Sequence, residues 1–209
     1  MKHFTLLIVL LSSLISCDKK PSSQNSKNKH TTDSNQITKK IETARDSIGP
    51  NPWTAFYQKQ DSAFNENEFA LISAAPITYL PTSTKATYEN GADPIYLPYI
   101  FYNPSKTQYV DIDSYLWHLG ADGEKSFEAD QEIILVDTKE KNKNRVLFFG
   151  PSYRVEYAVW KNDQLVQLYG TSDEIIPFKI MLDLKKDSLF YHDYPREINA
   201  SKRFGTREL

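Results

Sequence analysis

The stretch 132-EIILVDTKEKNKNRVLFFG-150, followed by 154-RVEYAVW-160 and 164-QLVQLYG-170, decides the fold. Two runs rich in β-branched and aromatic residues, EIILVD and RVLFFG, flank the polar heptapeptide TKEKNKN (138–144), which is the pattern of a hairpin. RVEYAVW and QLVQLYG make a second hairpin, with a tight turn at Asn162 and Asp163. PFKIMLDL (177–184) and SLFYHDY (188–194) make a third, turning at Lys185 to Asp187. Upstream, TQYVDIDSYLWHL (107–119) puts Tyr109, Asp111 and Asp113, with Tyr115 next in the series, on one face, and Val110, Ile112 and Ser114 on the other, as a half-buried strand does. Strands thus recur about every ten residues from 107 to 194 with no long helical pattern between them, which predicts an antiparallel meander. The expected fold class is mainly β, the meander being rolled into a small sandwich or half-barrel.

Further upstream, IYLPYIFYNP (95–104) is another aromatic-rich β run. EFALISAAPITYLP (68–81), apolar and bounded by Pro76 and Pro81, is read as extended segments packed inside the domain. NPWTAFYQKQ (51–60) begins with a helical turn, Asn51 serving as its cap and Pro52 as its first residue.

Residues 132–170 also resemble a blade of the β-propeller proteins, through Asp137 and Gly150 at the ends of aliphatic strands, Trp160 ahead of a turn carrying Asp163, and Gly170. The resemblance implies a partial or small propeller as the alternative architecture. Length weighs against it, since blades take roughly 40 to 45 residues and a closed ring at least four of them.

The chain opens with a different signal. In FTLLIVLLSSLISCDKK (4–20), the basic Lys2 and His3 precede an apolar core from Phe4 to Leu11, and small or modestly apolar residues run up to Ser16, the order of a secretory signal peptide over residues 1–16. The apolar run is short for a hydrocarbon core that takes roughly 20 residues to cross. Leu14, Ile15, Ser16 and Cys17 resemble the lipobox of bacterial lipoproteins. That resemblance implies cleavage after Ser16, a diacylglyceryl group on the Cys17 thiol and acylation, of the palmitate kind, of the new amino terminus. Lipid attachment at Cys17 would fasten the chain to a membrane of the cell envelope, because two or three acyl chains hold where one holds only marginally. Asp18 directly after the cysteine resembles the inner-membrane retention signal of enteric bacteria, whereas usage rich in Lys, Asn, Ile and Tyr resembles that of flavobacterial proteins, for which the outer membrane is the expected site.

Residues 17–48 form the expected linker. DKKPSSQNSKNKHTTDSNQITKK (18–40) has Ile37 as its first aliphatic residue, too little apolar surface to offset ordering entropy. As a coil, residues 18–48 reach roughly 30 Å. They carry seven Lys or Arg against four acids, a net of +3, while residues 49–209, the single expected globular domain, carry 17 bases and 23 acids, a net of −6. A basic tether beside a lipid anchor suits anionic head groups. An acidic domain argues against nucleic acid as the partner.

Catalytic signatures are missing. Cys17 is the only cysteine, so once it is lipidated neither a disulfide nor a thiolate nucleophile remains. G-x-S-x-G, Walker and Rossmann patterns are absent, and no cofactor is implied. His30 stands alone in the linker. His118 and His192, with Asp113 or Asp193, are the only candidates for acid, base or metal-ligand roles, and 74 positions between the histidines make no motif. The acids Asp111, Asp113, Asp122, Glu124, Glu128 and Asp130 do not follow the spacing of a calcium loop. The expectation is therefore no catalytic, cofactor or metal site, and a non-catalytic domain that binds or scaffolds an envelope protein or glycan. An anchored hydrolase of envelope glycans or peptides is the alternative. Trp53, Phe56, Tyr57, Tyr79, Tyr88, Tyr96, Tyr99, Phe101 and Tyr102 are read first as core and second as a stacking groove.

Overall fold

The computed structural model describes residues 51–82, 84, 96–119 and 125–205, apart from the side chains of residues 117–119 and 125. They belong to the compact unit Ser47–Leu209. Cys17, the signal segment and the linker lie outside the described residues.

Among the described residues, twelve strands form two five-stranded antiparallel sheets and a two-stranded ribbon. The first sheet runs in the order β1 (Ala70–Pro76), β12 (Ser188–Asp193), β11 (Pro177–Asp183), β10 (Leu165–Ser172) and β9 (Tyr153–Asn162). The second runs β2 (Leu80–Pro81), β8 (Asn142–Phe149), β7 (Gln131–Asp137), β4 (Gln108–Asp111) and β3 (Ile100–Tyr102). The ribbon pairs β5 (Trp117–Leu119) with β6 (Lys125–Phe127). The three hairpins read from the sequence are present as β7–β8, β9–β10 and β11–β12.

Alternation along each strand builds the core between the sheets. Ile133 and Leu135 from β7, Val166 and Leu168 from β10, and Phe178, Ile180 and Leu182 from β11 all point inward, joined by Val110, Val155 and Trp160. Burying such side chains is worth about 1.5–3 kcal/mol each. The chain crosses between sheets at Gly150 to Ser152, so β7 and β8 lie in one sheet and β9 and β10 in the other. A propeller blade would keep all four in one sheet. The blade resemblance of residues 132–170 is therefore corrected: each hairpin faces the other across the core, because both have one apolar face to bury.

The outer face of the first sheet is covered by helix α1 (Pro52–Gln60), whose start is fixed by the Asn51 side chain accepting from the Trp53 amide at 2.9 Å. Trp53 and Tyr57 from α1 pack with Phe64, Tyr169, Tyr194 and Ile198 into a second core. Its rings meet edge to face, Trp53 and Tyr57 at 4.8 Å and Phe64 and Tyr194 at 5.0 Å. On the outer side of the second sheet, Ile100, Tyr109, Ile134 and Val136 make a third, smaller cluster.

Two expectations are corrected. The strand read over 107–119 stops at Asp111, because the Asp111 carboxylate accepts from the amides of Asp113 and Ser114, both at 3.0 Å, and from the Ser114 hydroxyl, folding the chain into a turn. Residues 70–76 are extended, as expected, but they are not packed inside. They form β1, exposed along its whole length at the margin of the first sheet.

Candidate functional site

Buried polar groups come first, because chemistry needs them. Glu156 on β9 faces α1 and is 5% exposed. Its Oε2 accepts from Trp53 Nε1–H and from the Tyr57 hydroxyl, both at 2.8 Å, and its Oε1 accepts from the Thr171 hydroxyl at 2.7 Å. Arg203 from the C-terminal segment donates to Thr171 Oγ1 and to the Ser172 carbonyl oxygen, at 3.3 Å and 2.7 Å. Burial pushes the Glu156 carboxyl up, while the donors from Thr171, Tyr57 and Trp53 and the Arg203 charge pull it down. Burial and the adjoining carboxylate drive the Tyr57 phenol far above its ordinary range. Both carboxylate oxygens are taken up by donors from other segments, so this is a clasp fastening α1 and the C-terminal segment to the sheet.

The histidines named from the sequence fall on separate parts of the fold. His192 lies on β12, opposite Leu71 on one side and Lys179 on the other, with Asp193 next to it opposite Ala70 and Phe178. His118 lies on β5 of the two-stranded ribbon, and its side chain is outside the described ones. Asp113 is buried in the turn after β4, 1% exposed. Of the six acids weighed for calcium, Asp122 and Glu124 lie outside the described residues. Asp111 is held inside its own turn, where burial raises its carboxyl, while Glu128 and Asp130 follow β6 at the surface. Among the described residues, no group of three or more His, Cys, Asp or Glu is placed to hold a metal ion.

The aromatic residues divide. Trp53 and Tyr57 are fully buried, Phe56, Tyr96, Tyr99 and Phe101 half-buried, and Tyr79 and Tyr102 exposed. Tyr88 lies outside the described residues. Most of this set is core or packs on core, as its first reading had it.

The two long margins of the sandwich differ. Where β9 and β3 come together, the margin is stitched by cross-sheet bonds. Trp160 Nε1–H donates to the Phe101 carbonyl oxygen at 2.8 Å, and the Ser105 amide donates to Asp163 Oδ1 at 2.8 Å. Nearby, buried Gln131 donates to the carbonyl oxygens of Ile112 and Val155, at 2.7 Å and 2.9 Å, and accepts from the Val155 amide at 2.8 Å. Every polar atom of that amide side chain is used on the backbone.

The opposite margin is open. There β1 is hydrogen-bonded to β12 alone among the described residues, and β2 is only two residues long. Leu71 is 45% and Ile72 60% exposed, with Tyr79 and Leu80 following at 40% and 41%. The sequence of β1, ALISAAP, holds no charge. Its ends are fixed. Beyond Pro76, Ile77 returns to the core, its amide donating to the Asp187 carbonyl oxygen at 2.8 Å, and the Tyr79 hydroxyl donates to Asp187 Oδ1 at 2.8 Å. Burial and that carboxylate push the Tyr79 phenol up to about 12. Before Ala70, Phe69 packs on Phe64 and Tyr194 and lies under the Lys179 ammonium, 4.7 Å from the ring centroid.

A seven-residue uncharged strand, anchored at both ends and unpaired along one side among the described residues, is a template for a further strand. Protein edges are ordinarily blunted by lysine, by an inward charge, or by cover. Here a bulge between Leu71 and Ser73 and the terminal Pro76 limit the template to its middle. Sequence reasoning missed this site, because an apolar run looks the same whether it is buried or left at an edge. The available signal was Ser73, Ala74 and Ala75, too small to fill a core position opposite Tyr191, Phe190 and Leu189. The chain matches no family model, no curated protein and no solved structure.

Proposed function

We propose that the protein is a lipid-anchored lipoprotein of the bacterial cell envelope whose β-sandwich binds an extended apolar segment of another envelope protein by strand addition at β1. The observation that carries the binding reading is the exposed, uncharged β1, pinned at Phe69 and Ile77 and lacking a second strand neighbour among the described residues. Main-chain bonds along such an edge supply affinity, and Leu71 and Ile72 supply apolar contact on the incoming strand. The anchoring half rests on the signal order and on the lipobox ending at Cys17. The expected linker of residues 17–48 lets the domain reach neighbours away from the bilayer.

The test is photo-crosslinking from the intact protein in cells, with the reactive group at Ile72 or Ala74. A discrete polypeptide neighbour is expected from these positions and not from Glu174 in the β10–β11 connection. No adduct from β1, or the same adducts from Glu174, would overturn strand addition. Mass spectrometry of the native protein tests the anchor separately: a lipid-modified Cys17 at the amino terminus is expected, and a bare thiol or an intact leader would refute it.

A further inference from the structure

A second surface stands on the outer face of the second sheet, built from residues that β1 does not use. Glu132 on β7 and Phe148 on β8 are cross-strand partners, so both side chains leave the sheet on the same side. Arg145 is placed between them. Its guanidinium lies over the Phe148 ring, 5.3 Å from the centroid, and its Nη1 meets Glu132 Oε1 at 3.0 Å. The Thr82 hydroxyl donates to the other Glu132 oxygen at 2.7 Å. Glu132 is 1% exposed, so this ion pair is spent within the domain.

Tyr115 packs edge-on against Phe148, with centroids 6.2 Å apart. The Glu128 amide donates to the carbonyl oxygen of Leu116 at 2.8 Å, bringing the end of the β5–β6 ribbon alongside Tyr115. Burial foremost, and then the Glu128, Glu132 and Asp130 carboxylates, raise the Tyr115 phenol, while Arg145 lowers it. Of these, Glu132 is paired with Arg145. Glu128 is exposed and Asp130 half-exposed, and among the described residues neither forms an ion pair. Phe148 is 48% exposed beside them.

We propose that Tyr115, Phe148, Glu128 and Asp130 form a recognition surface for a lysine- or arginine-bearing segment of a partner polypeptide. The charge is complementary: among the described residues Glu128 and Asp130 form no ion pair, and the Arg145 guanidinium over Phe148 is already paired with Glu132. An ammonium or guanidinium group gains from a ring face and a carboxylate together more than from either alone. An anionic partner would meet the wrong sign of charge. A neutral sugar would stack on the rings and leave the carboxylates uncompensated.

The test is a binding titration of the full-length protein in non-ionic detergent, with hexalysine and cellohexaose as probes. Hexalysine is expected to bind and to weaken with added salt, and cellohexaose is not. Replacing the two free carboxylates together, Glu128→Gln with Asp130→Asn, is expected to weaken hexalysine about tenfold, and Phe148→Ala to weaken it several-fold. The charge-matched pair Glu174→Gln with Glu197→Gln is expected to leave binding unchanged. Tyr115→Phe keeps the ring and is expected to retain most of the affinity. Thermal unfolding of each variant guards against misfolding. Equal loss in the Glu174/Glu197 control, no loss in the Glu128/Asp130 variant, or cellohexaose binding as tightly as hexalysine would overturn the proposal. Ile72→Lys separates the two surfaces, since it should abolish crosslinks at β1 and leave hexalysine binding intact.

Discussion

The Glu156 carboxylate and the Trp53 indole, 103 residues apart in the chain, meet at 2.8 Å inside the second core. Tyr57 and Thr171 complete the clasp, so removing the carboxylate orphans three donors at once. Glu156→Ala should cost about 3 kcal/mol or more, given 1–3 kcal/mol for a buried group left unsatisfied. Glu156→Gln should cost less, because its amide oxygen still accepts. Urea unfolding followed by tryptophan fluorescence checks both, and an alanine variant as stable as the parent would contradict the clasp.

Gln131 makes a second test, bonded to Val155, the chain neighbour of Glu156. Gln131→Leu keeps the volume but strips the Val155 amide and the Ile112 and Val155 carbonyl oxygens of their side-chain partner. A loss of about 2–3 kcal/mol is expected. Hydrogen exchange at the Val155 amide should accelerate with it.

Gly170 leaves no room for a methyl group, since a Cβ there would run into the Arg154 carbonyl oxygen and the Phe178 ring. Gly170→Ala should therefore destabilise by roughly 2 kcal/mol or more, through displaced backbone as much as overpacked core. A midpoint unchanged in urea would mean that β9 and β10 separate more readily than their register allows.

Acid sensitivity should be traceable to Asp61. Its Oδ2 accepts from Arg196 at 2.8 Å and from the Asn199 amide at 3.1 Å, and these bonds, the Arg196 one foremost, hold its carboxyl below the ordinary range. A carboxyl lowered on folding stabilises the protein above its unfolded value of about 3.9, and that contribution is lost as pH falls through the folded value. Asp61→Asn should thus lower the melting temperature at neutral pH and flatten its decline in acid. Glu156 and Asp111, raised by burial, act with the opposite sign and are untouched by this variant.

Ile72 is 60% exposed, so Ile72→Lys should shift stability by no more than about 0.5 kcal/mol. It should nevertheless abolish strand addition, since a lysine on an edge is a common guard against it. Unchanged crosslinks from Ala74 in that variant would count against the strand-addition site.

Period-two alternation made three hairpins legible, because each strand from β7 to β12 buries one face and exposes or separately covers the other. Asn51 and Pro52 likewise announced the start of α1. What stayed hidden depends on contacts distant in sequence. Asp111 alternates like a strand residue, yet its carboxylate finds two amides and a hydroxyl nearby and ends the strand. Leu71 and Ile72 look like core, and only their position beyond β12 leaves them outside. Glu156 reads as one more polar residue in a strand, since the donors that surround it come from residues 53, 57 and 171. The Tyr115 and Phe148 surface depends in the same way on β8 pairing β7, which puts Phe148 opposite Glu132.

Among the described residues the first strand and the last are neighbours, Ala70 lying opposite Asp193. A nascent polypeptide therefore cannot finish this sheet until residue 193 has been made, more than a hundred residues after β1. Such long-range pairing slows folding. It also makes the β1 edge a late product of folding, in place only once β12 lies beside it.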